Sequence, residues 1–415
     1  MTTISRPDPK LAWLRQASPQ ARRSLVAAGA GWMLDAMDVM LYSFALSSIQ
    51  AEFGLTSARA GALASATLVF SAIGGIAAGA LADRFGRART LIGAVLVYSL
   101  ATAGTATSQT VAQLVFWRAL VGLGLGGEWS AGSVLVAETW PAEHRGKAIG
   151  LMQSGWAIGY LVAALLAGTL LGTLGWRGLF LIGIAPALLT LWIRRAVEEP
   201  AIWRRARQAA KAPRAAALFR PPLLRRTATA TLLAAALLFA YWGLFTWIPT
   251  YLSAPAEKGG AGLSLLRSTA WIVPLQIGAF MGYLFFGVLA DRFGRRPVFL
   301  LFVGAAAVIV PVYGLAARSE AALLALGPLV GFFGHGYFSV FGALLAEMFP
   351  SAIRATAQGL CYNAGRATSA LAPLAIGWLA DRHGLGAALT STAGLYVVGG
   401  ALIFLLPETR GEELA

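Results

Sequence analysis

Twelve runs of predominantly apolar residues, separated by charge clusters or Pro/Gly turns, constrain this chain more than any other feature. They fall near residues 24–50, 60–82, 90–107, 111–137, 147–172, 177–195, 226–253, 265–290, 297–316, 322–347, 354–380 and 386–406. About 20 such residues in a helix cross roughly 30 Å of hydrocarbon. Within that layer only helices and closed barrels satisfy every backbone hydrogen bond. The runs lack the two-residue alternation of barrel strands, so the sequence predicts an all-α membrane protein of twelve transmembrane helices.

Composition agrees: 58% of the 415 residues are hydrophobic and 12% charged, against about 45–50% and 25% in soluble domains, and mean hydropathy is +0.68. Disorder, a coiled coil and a disulfide scaffold are excluded, and Cys361, the single cysteine, can build neither an intrachain disulfide nor a Cys-based zinc site. A formal net charge of +15 would suggest nucleic acid as the partner of a soluble protein. Counting loops alternately instead places 25 of the 33 Lys/Arg on one side of the membrane, 6 on the other and 2 inside spans. The positive-inside rule then puts both termini in the cytoplasm, so topology accounts for the charge and no nucleic-acid partner is expected. Residues 1–23, with Arg6, Lys10, Arg15, Arg22 and Arg23, read as a cytoplasmic tail, because the apolar run that follows is too long for a signal peptide. The predicted organisation is a six-helix bundle over 24–195, a basic cytoplasmic linker over 196–225, a second bundle over 226–407 and a short tail over 408–415.

The two halves repeat each other. GALADRFGRARTL from Gly79 recurs as GVLADRFGRRPVF from Gly287, and LVAETWPAEHRGKAIG from Leu135 as LLAEMFPSAIRATAQG from Leu344. The second match pairs Glu138 with Glu347, Arg145 with Arg354 and Gly150 with Gly359. A weaker echo, GWLADRHG from Gly377, follows three spans after the second copy, as a nested inverted three-span repeat requires. Bundles related in this way can rock about a midplane site and expose it to each side in turn.

These residues resemble the major facilitator superfamily across essentially the whole chain. Its loop motif G-x-x-x-D-R-x-G-R-R is met by Gly287, Asp291, Arg292, Gly294, Arg295 and Arg296; the first copy has Gly79, Asp83, Arg84, Gly86 and Arg87, with Ala88 at the last base. Span four adds R-x-x-x-G-x-x-x-G as Arg118, Gly122 and Gly126. The resemblance implies two pseudo-symmetric six-helix bundles. An acid beside a helix end and clustered arginines can form a latch of charge-assisted hydrogen bonds, so Asp83, Arg84, Arg87, Glu138, Arg145, Asp291, Arg292, Arg295, Glu347 and Arg354 are its expected members. GLGLGG in span four formally satisfies a nucleotide-binding fingerprint, but no strand precedes it, and close helix packing explains it better.

Charges inside a membrane are costly and mark function. Five qualify: Asp35 and Asp38 in span one, Arg118 and Glu128 in span four and Arg366 in span eleven. Asp35, Asp38 and Tyr42 share a helical face. Arg118 and Glu128 lie about 15 Å apart along one axis, so Arg118 is expected to meet a span-one acid, either as a structural pair or in the proton-coupling role that the resemblance gives this Arg. Arg366 has no counterpart in the first half, where the register holds Ala157, and stands at helical spacing with Tyr362 and Asn363. A free guanidinium there would bind a substrate carboxylate bidentately; the alternative is that Arg366 pairs with an acid from another helix. Three acids against two arginines leave one negative charge, so Asp35, Asp38, Glu128 and Arg118 are the candidate proton-coupling groups. With Arg366, Tyr362 and Asn363, the candidate substrate-binding residues are Tyr42, Trp129, Gln153, Tyr241, Gln276 and His335, the last of which could also relay protons or be a bonded core residue.

DAMDVMLYSF in span one and the span-four stretch look like those of organic-acid/proton symporters, the sialate and monocarboxylate group above all, with aromatic-acid and nicotinate carriers near. The polar span-seven motif of eukaryotic lactate permeases is replaced by YWGLFTWIPTYL. Span five lacks the glycine-proline motif typical of the superfamily's drug antiporters, which favours symport. The expectation is a non-enzymatic, proton-coupled carrier of a small organic anion such as lactate or pyruvate. It would act as a monomer in the bacterial inner membrane, with no cofactor or metal beyond the coupling proton. Carriers of aromatic acids, sugars or organic cations are the alternatives, with a non-transporting sensor more distant.

Overall fold

The structure, a computed structural model, describes residues 12–55, 57–208, 215–263, 265–316 and 319–414. Sequence expectations that touch 1–11, with Arg6 and Lys10, or 209–214, with Lys211 and Arg214, fall outside these residues.

Ten segments among the described residues are long and apolar enough to cross a membrane. One of them, Ala142–Ala196, is 55 residues long and holds two passes. Its helix Arg145–Ile182 is broken at Gly175, and Pro186–Ala196 completes span six. Span eleven is the remaining pass. Its first helix, Arg354–Ser369, carries Gln358, Asn363 and Arg366 and begins the pass read from the sequence over 354–380. Adding these two passes gives the twelve spans.

The first half runs in long helices: Pro19–Phe53, Ser57–Phe85, Arg87–Ala106, Val111–Thr139 and Arg145–Ile182. The second is more broken. Span seven divides into Leu223–Phe245 and Ile248–Ser253, span ten into Glu320–Gly336 and Ser339–Met348, span eleven into Arg354–Ser369 and Ala372–His383, and span twelve into Leu385–Ser391 and Ala393–Leu402. Spans eight, Leu265–Phe293, and nine, Arg295–Pro311, are continuous. Pro249 stands in the first turn after the span-seven break, whereas Pro274 lies inside an uninterrupted helix.

The nested repeat is visible in the backbone. Gly86, Gly175, Gly294 and Gly384 follow spans two, five, eight and eleven, with φ of 117°, 64°, 107° and 82°. L-residues with a side chain rarely adopt such values, which accounts for the glycine of the D-R-x-G echo at every occurrence.

Small residues set the helix spacing. A Cβ on Gly122 would meet the Thr67 carbonyl, and one on Gly126 the Ser71 carbonyl, so span four lies backbone to backbone on span two. The same device joins the halves. Gly150 faces Tyr283 and Gly287 faces Gly146, pressing span five on span eight; Gly79 faces Ala355 and Gly359 faces Gly75, pressing span two on span eleven.

Candidate functional site

Two clusters of buried charge result from this packing, one at mid-membrane and one at the face that carries both ends of the described chain. At mid-membrane, Asp35, Asp38, Arg118, Glu128 and Arg366 are each no more than 7% exposed. The two span-one acids divide their partners. Asp38 accepts hydrogen bonds from Thr102 Oγ1 at 2.5 Å and Arg118 Nη1 at 3.5 Å, and Arg118 lies 4.3 Å from the centre of the Tyr42 ring. Arg118 thus meets the second acid of D-x-x-D across the bundle.

Asp35 and Glu128, the other two acids, lie within electrostatic reach of Arg366 without pairing with it. The charge of Arg366 acts on both carboxylates, and Asp35 acts on Glu128. Even so, Arg366 forms no ion pair within 4.0 Å among the described residues. Its Nη1 donates to Ser71 Oγ at 2.7 Å, its guanidinium lies 5.3 Å from the centre of the Tyr362 ring, and its Nε has no partner. Glu128 is fully buried against span one, where a Cβ on Gly31 would collide with it, and neither carboxylate oxygen has a hydrogen-bond partner among the described residues. Buried polar atoms normally have partners, so these are exceptions that call for an explanation.

The other sequence candidates fall around this centre. Trp129 stacks on Tyr362 with centroids 3.7 Å apart and donates to Gln153 at 3.1 Å. Asn363 donates to Ser130 Oγ at 3.1 Å across the bundle interface and leaves its Oδ1 free. Gln276 is buried with its Oε1 free. His335 lies 3.3 Å from the Tyr241 hydroxyl and 3.2 Å from the Gly331 carbonyl, enclosed by Phe245 and Tyr283. Both ring nitrogens are therefore engaged, which fits the bonded-core alternative for His335 and leaves it no free nitrogen for substrate. Toward the opposite face, Ser43, Phe44, Tyr160, Pro249, Ile272 and Val273 line a cavity of about 270 Å³ between the bundles.

The second cluster closes the terminal face. Glu138 accepts from Arg87 Nε at 2.9 Å and Nη2 at 3.0 Å, from Arg354 Nη1 at 2.5 Å and from Ser351 Oγ at 2.8 Å. Glu347 accepts from Arg295 Nη2 and Arg145 Nη1, both at 2.9 Å, and from Thr409 Oγ1. Asp83 receives Thr356 N at 2.7 Å and Ala355 N at 3.2 Å, at the start of span eleven; Asp291 receives Gly146 N at 2.9 Å and Lys147 N at 2.8 Å, at the start of span five. Each aspartate thus meets the positive end of a helix in the other bundle. Each glutamate also joins the other bundle's arginine: Glu138 binds Arg354 and Glu347 binds Arg145.

Two expected members are not part of this network. Arg84 and Arg292 are exposed and lie over Phe85 and Phe293, each beside it in sequence. The D-R step turns them away from the interface, and Arg87 and Arg295, one turn on, reach the acids. Glu199 and Glu408 were not singled out from the sequence. Glu199 accepts from Arg87 N at 2.6 Å and Glu408 from Arg295 N at 2.8 Å, capping spans three and nine. They stand in the register that pairs Glu138 with Glu347, and that register was the signal available for finding them. Ser71, Ser130 and Ser133, the partners of Arg366, Asn363 and Gln358, carry no comparable signal.

Known proteins share both the sequence pattern and the architecture. The family model described as Major Facilitator Superfamily matches residues 29–275 and 262–415. A probable 4-methylmuconolactone transporter of Cupriavidus pinatubonensis is 37% identical, over 96% of this chain and 94% of its own length. The cis,cis-muconate transport protein of Acinetobacter baylyi is 34% identical, over 89% and 90%. The solved proton:xylose symporter XylE, bound to 6-bromo-6-deoxy-D-glucose, superimposes with a TM-score of 0.80 at 20% identity, covering 95% of this chain and 98% of that one. The chain belongs to the Major Facilitator Superfamily and is a membrane transporter, not an enzyme.

Proposed function

We infer that the protein is a symporter that moves a small organic anion together with protons by alternating access of two bundles, 24–195 and 226–407, joined by the 196–225 linker. One observation carries the reading: a buried guanidinium, Arg366, with no carboxylate in ion-pair range among the described residues and one nitrogen unpartnered. Such a group is poised to receive a substrate carboxylate, to which Arg offers two parallel donors. With Asp38 paired to Arg118, Asp35 and Glu128 remain within electrostatic reach of Arg366. Fully ionised, that group carries one surplus negative charge, and a bound anion adds another. Protons taken up on Asp35 or Glu128 offset these charges, so the loaded carrier can reorient without isolated charge in the membrane. The unpartnered Glu128 oxygens leave room for such a proton.

The relatives, a probable 4-methylmuconolactone transporter and a cis,cis-muconate transport protein, support a carboxylic acid or its lactone over a sugar, and an unsaturated acid over lactate. In this reading the protein works as a monomer in a bacterial inner membrane with both termini in the cytoplasm, an orientation that the distribution of Lys and Arg supports. The test is uptake of labelled cis,cis-muconate, benzoate and lactate into proteoliposomes with and without an inward proton gradient. Gradient-stimulated uptake that Arg366→Ala removes supports the reading. Uptake indifferent to the gradient, or an anion flux that Arg366→Ala leaves unchanged, would sink it.

A further inference from the structure

One sizeable cleft lies outside the proposed transport path. A cleft of about 610 Å³ opens on the terminal face where spans three and six meet the linker, lined by Ala88, Arg89, Ile92, Arg194, Glu199 and Trp203, with Val197, Glu198 and Arg204 completing it. We propose that this cleft is a binding site for the phosphate headgroup of an acidic phospholipid from the adjoining leaflet.

Three arginines supply the charge. Arg89 and Arg194 form no ion pair among the described residues, and Arg204 has only a long, exposed contact of 3.9 Å with Glu198. The acids of the lining do not cancel them. Glu199 is occupied in capping span three, receiving Arg87 N, Ala88 N and Arg89 N, and Glu198 is 73% exposed at its side chain. The cleft therefore has a net surplus of guanidinium groups, which suit phosphate oxygens in two-point hydrogen bonds.

Position selects a lipid over a soluble phosphate. Arg89 sits in the first turn of span three and Arg194 in the last turn of span six, so both lie at headgroup depth. The same span-six helix presents Leu188, Leu191 and Trp192 outward, at 69%, 58% and 38% exposure. A phosphate held in the cleft would have its acyl chains beside this apolar shoulder, with tryptophan at the interface as is usual. Basic groups at this depth attract anionic lipid. The cleft also adjoins the latch, because Trp203 donates to the Asp83 carbonyl at 2.9 Å and Glu199 caps the helix that carries Arg87.

The test is native mass spectrometry of the full-length protein released from nanodiscs of equal phosphatidylglycerol and phosphatidylcholine. The triple variant Arg89→Gln, Arg194→Gln, Arg204→Gln is compared with a charge-matched control, Arg205→Gln, Arg220→Gln, Arg225→Gln, whose positions are exposed and do not line the cleft. The expected result is one tightly held phosphatidylglycerol on wild type and control, with retention at least tenfold lower in the cleft variant and no matching phosphatidylcholine. Equal retention in all three proteins, or equal retention of the two lipids, overturns the proposal. Displacement of the lipid by millimolar inorganic phosphate also overturns it, since that would mark a site for the free anion.

Discussion

Span five and span eleven are copies of one helix with different duties. At the terminal face they are alike. Arg145 and Arg354 reach across to Glu347 and Glu138, Gly146 and Ala355 donate to Asp291 and Asp83, and Gly150 and Gly359 press against the opposite bundle. Toward the middle they diverge. Where span five has Ile149, Ser154 and Ala157, span eleven has Gln358, Asn363 and Arg366. Gln358, Asn363 and Arg366 each bond a serine of the first bundle, whereas Ile149 packs against Gly342 and Trp156 lies on Trp32. The duplicated unit thus keeps its closing chemistry in both copies, while one copy has acquired the polar face on which the proposed substrate chemistry rests. A surface that must separate during transport can bear a polar zip, because water replaces its hydrogen bonds once it opens and the net loss is only about 0.5–1.5 kcal/mol per bond.

This comparison can be broken at its shared end first. Glu138→Gln and Glu347→Gln should each open the terminal face by similar amounts, since removing one partner of a buried ion pair costs about 3–5 kcal/mol. Labelling of a cysteine introduced at Ala148, buried in the closed face, should rise equally in both on a Cys361→Ser background. A large effect in one and none in the other would refute the equivalence of the two latches. At the divergent end, Arg366→Ala should lower uptake on the order of a hundredfold, consistent with about 2–5 kcal/mol for truncating a buried charged partner. Ala157→Arg introduced alongside it should not restore transport, because span five lacks the Ser71 and Glu128 surroundings. Gln358→Leu, which makes span eleven resemble span five, should change uptake only several-fold, at about 1 kcal/mol for one neutral hydrogen bond.

Smaller effects sharpen the boundary of the latch. Arg84→Ala and Arg292→Ala should each stay within about 0.5 kcal/mol of wild type in thermal unfolding, as exposed substitutions do. At the opposite face, the hydrogen bond from Arg177 holds the half-exposed Glu52 carboxyl below its ordinary range. Its contribution is therefore complete above the ordinary carboxylate range and disappears as pH falls through the lowered value. A slight loss of melting temperature between pH 5 and pH 3, absent in Glu52→Gln, would show it.

Much of this was legible in the sequence because it rests on local physics. Apolar length gives the spans, loop charge gives an expected sidedness, and the repeated D-R-x-G gives three turns whose glycines, Gly86, Gly294 and Gly384, take positive φ. Span eleven is legible as a run over 354–380, but the partners of its polar residues Gln358, Asn363 and Arg366 depend on packing against the first bundle. The latch members were readable, but not their pairing. That Glu138 joins Arg354 and Glu347 joins Arg145 depends on how two bundles meet, and no spacing along one chain encodes it. The same limit applied to Arg84, whose neighbour Phe85 and exposed position are features of the packed structure. In the centre, helical spacing put Asp35 and Asp38 on one face, but only packing against Thr102 and Arg118 distinguishes the paired acid from the one left facing Arg366.

The central claim is that Arg366 is the receptor for a carboxylate. Calorimetric titration of the purified transporter with benzoate and with uncharged benzamide, in wild type and Arg366→Ala, tests it without involving proton coupling. The account predicts that wild type binds the acid at least tenfold more tightly than the amide and that Arg366→Ala binds both equally weakly. Equal affinity of wild type for acid and amide, or an acid preference that persists in Arg366→Ala, would contradict it.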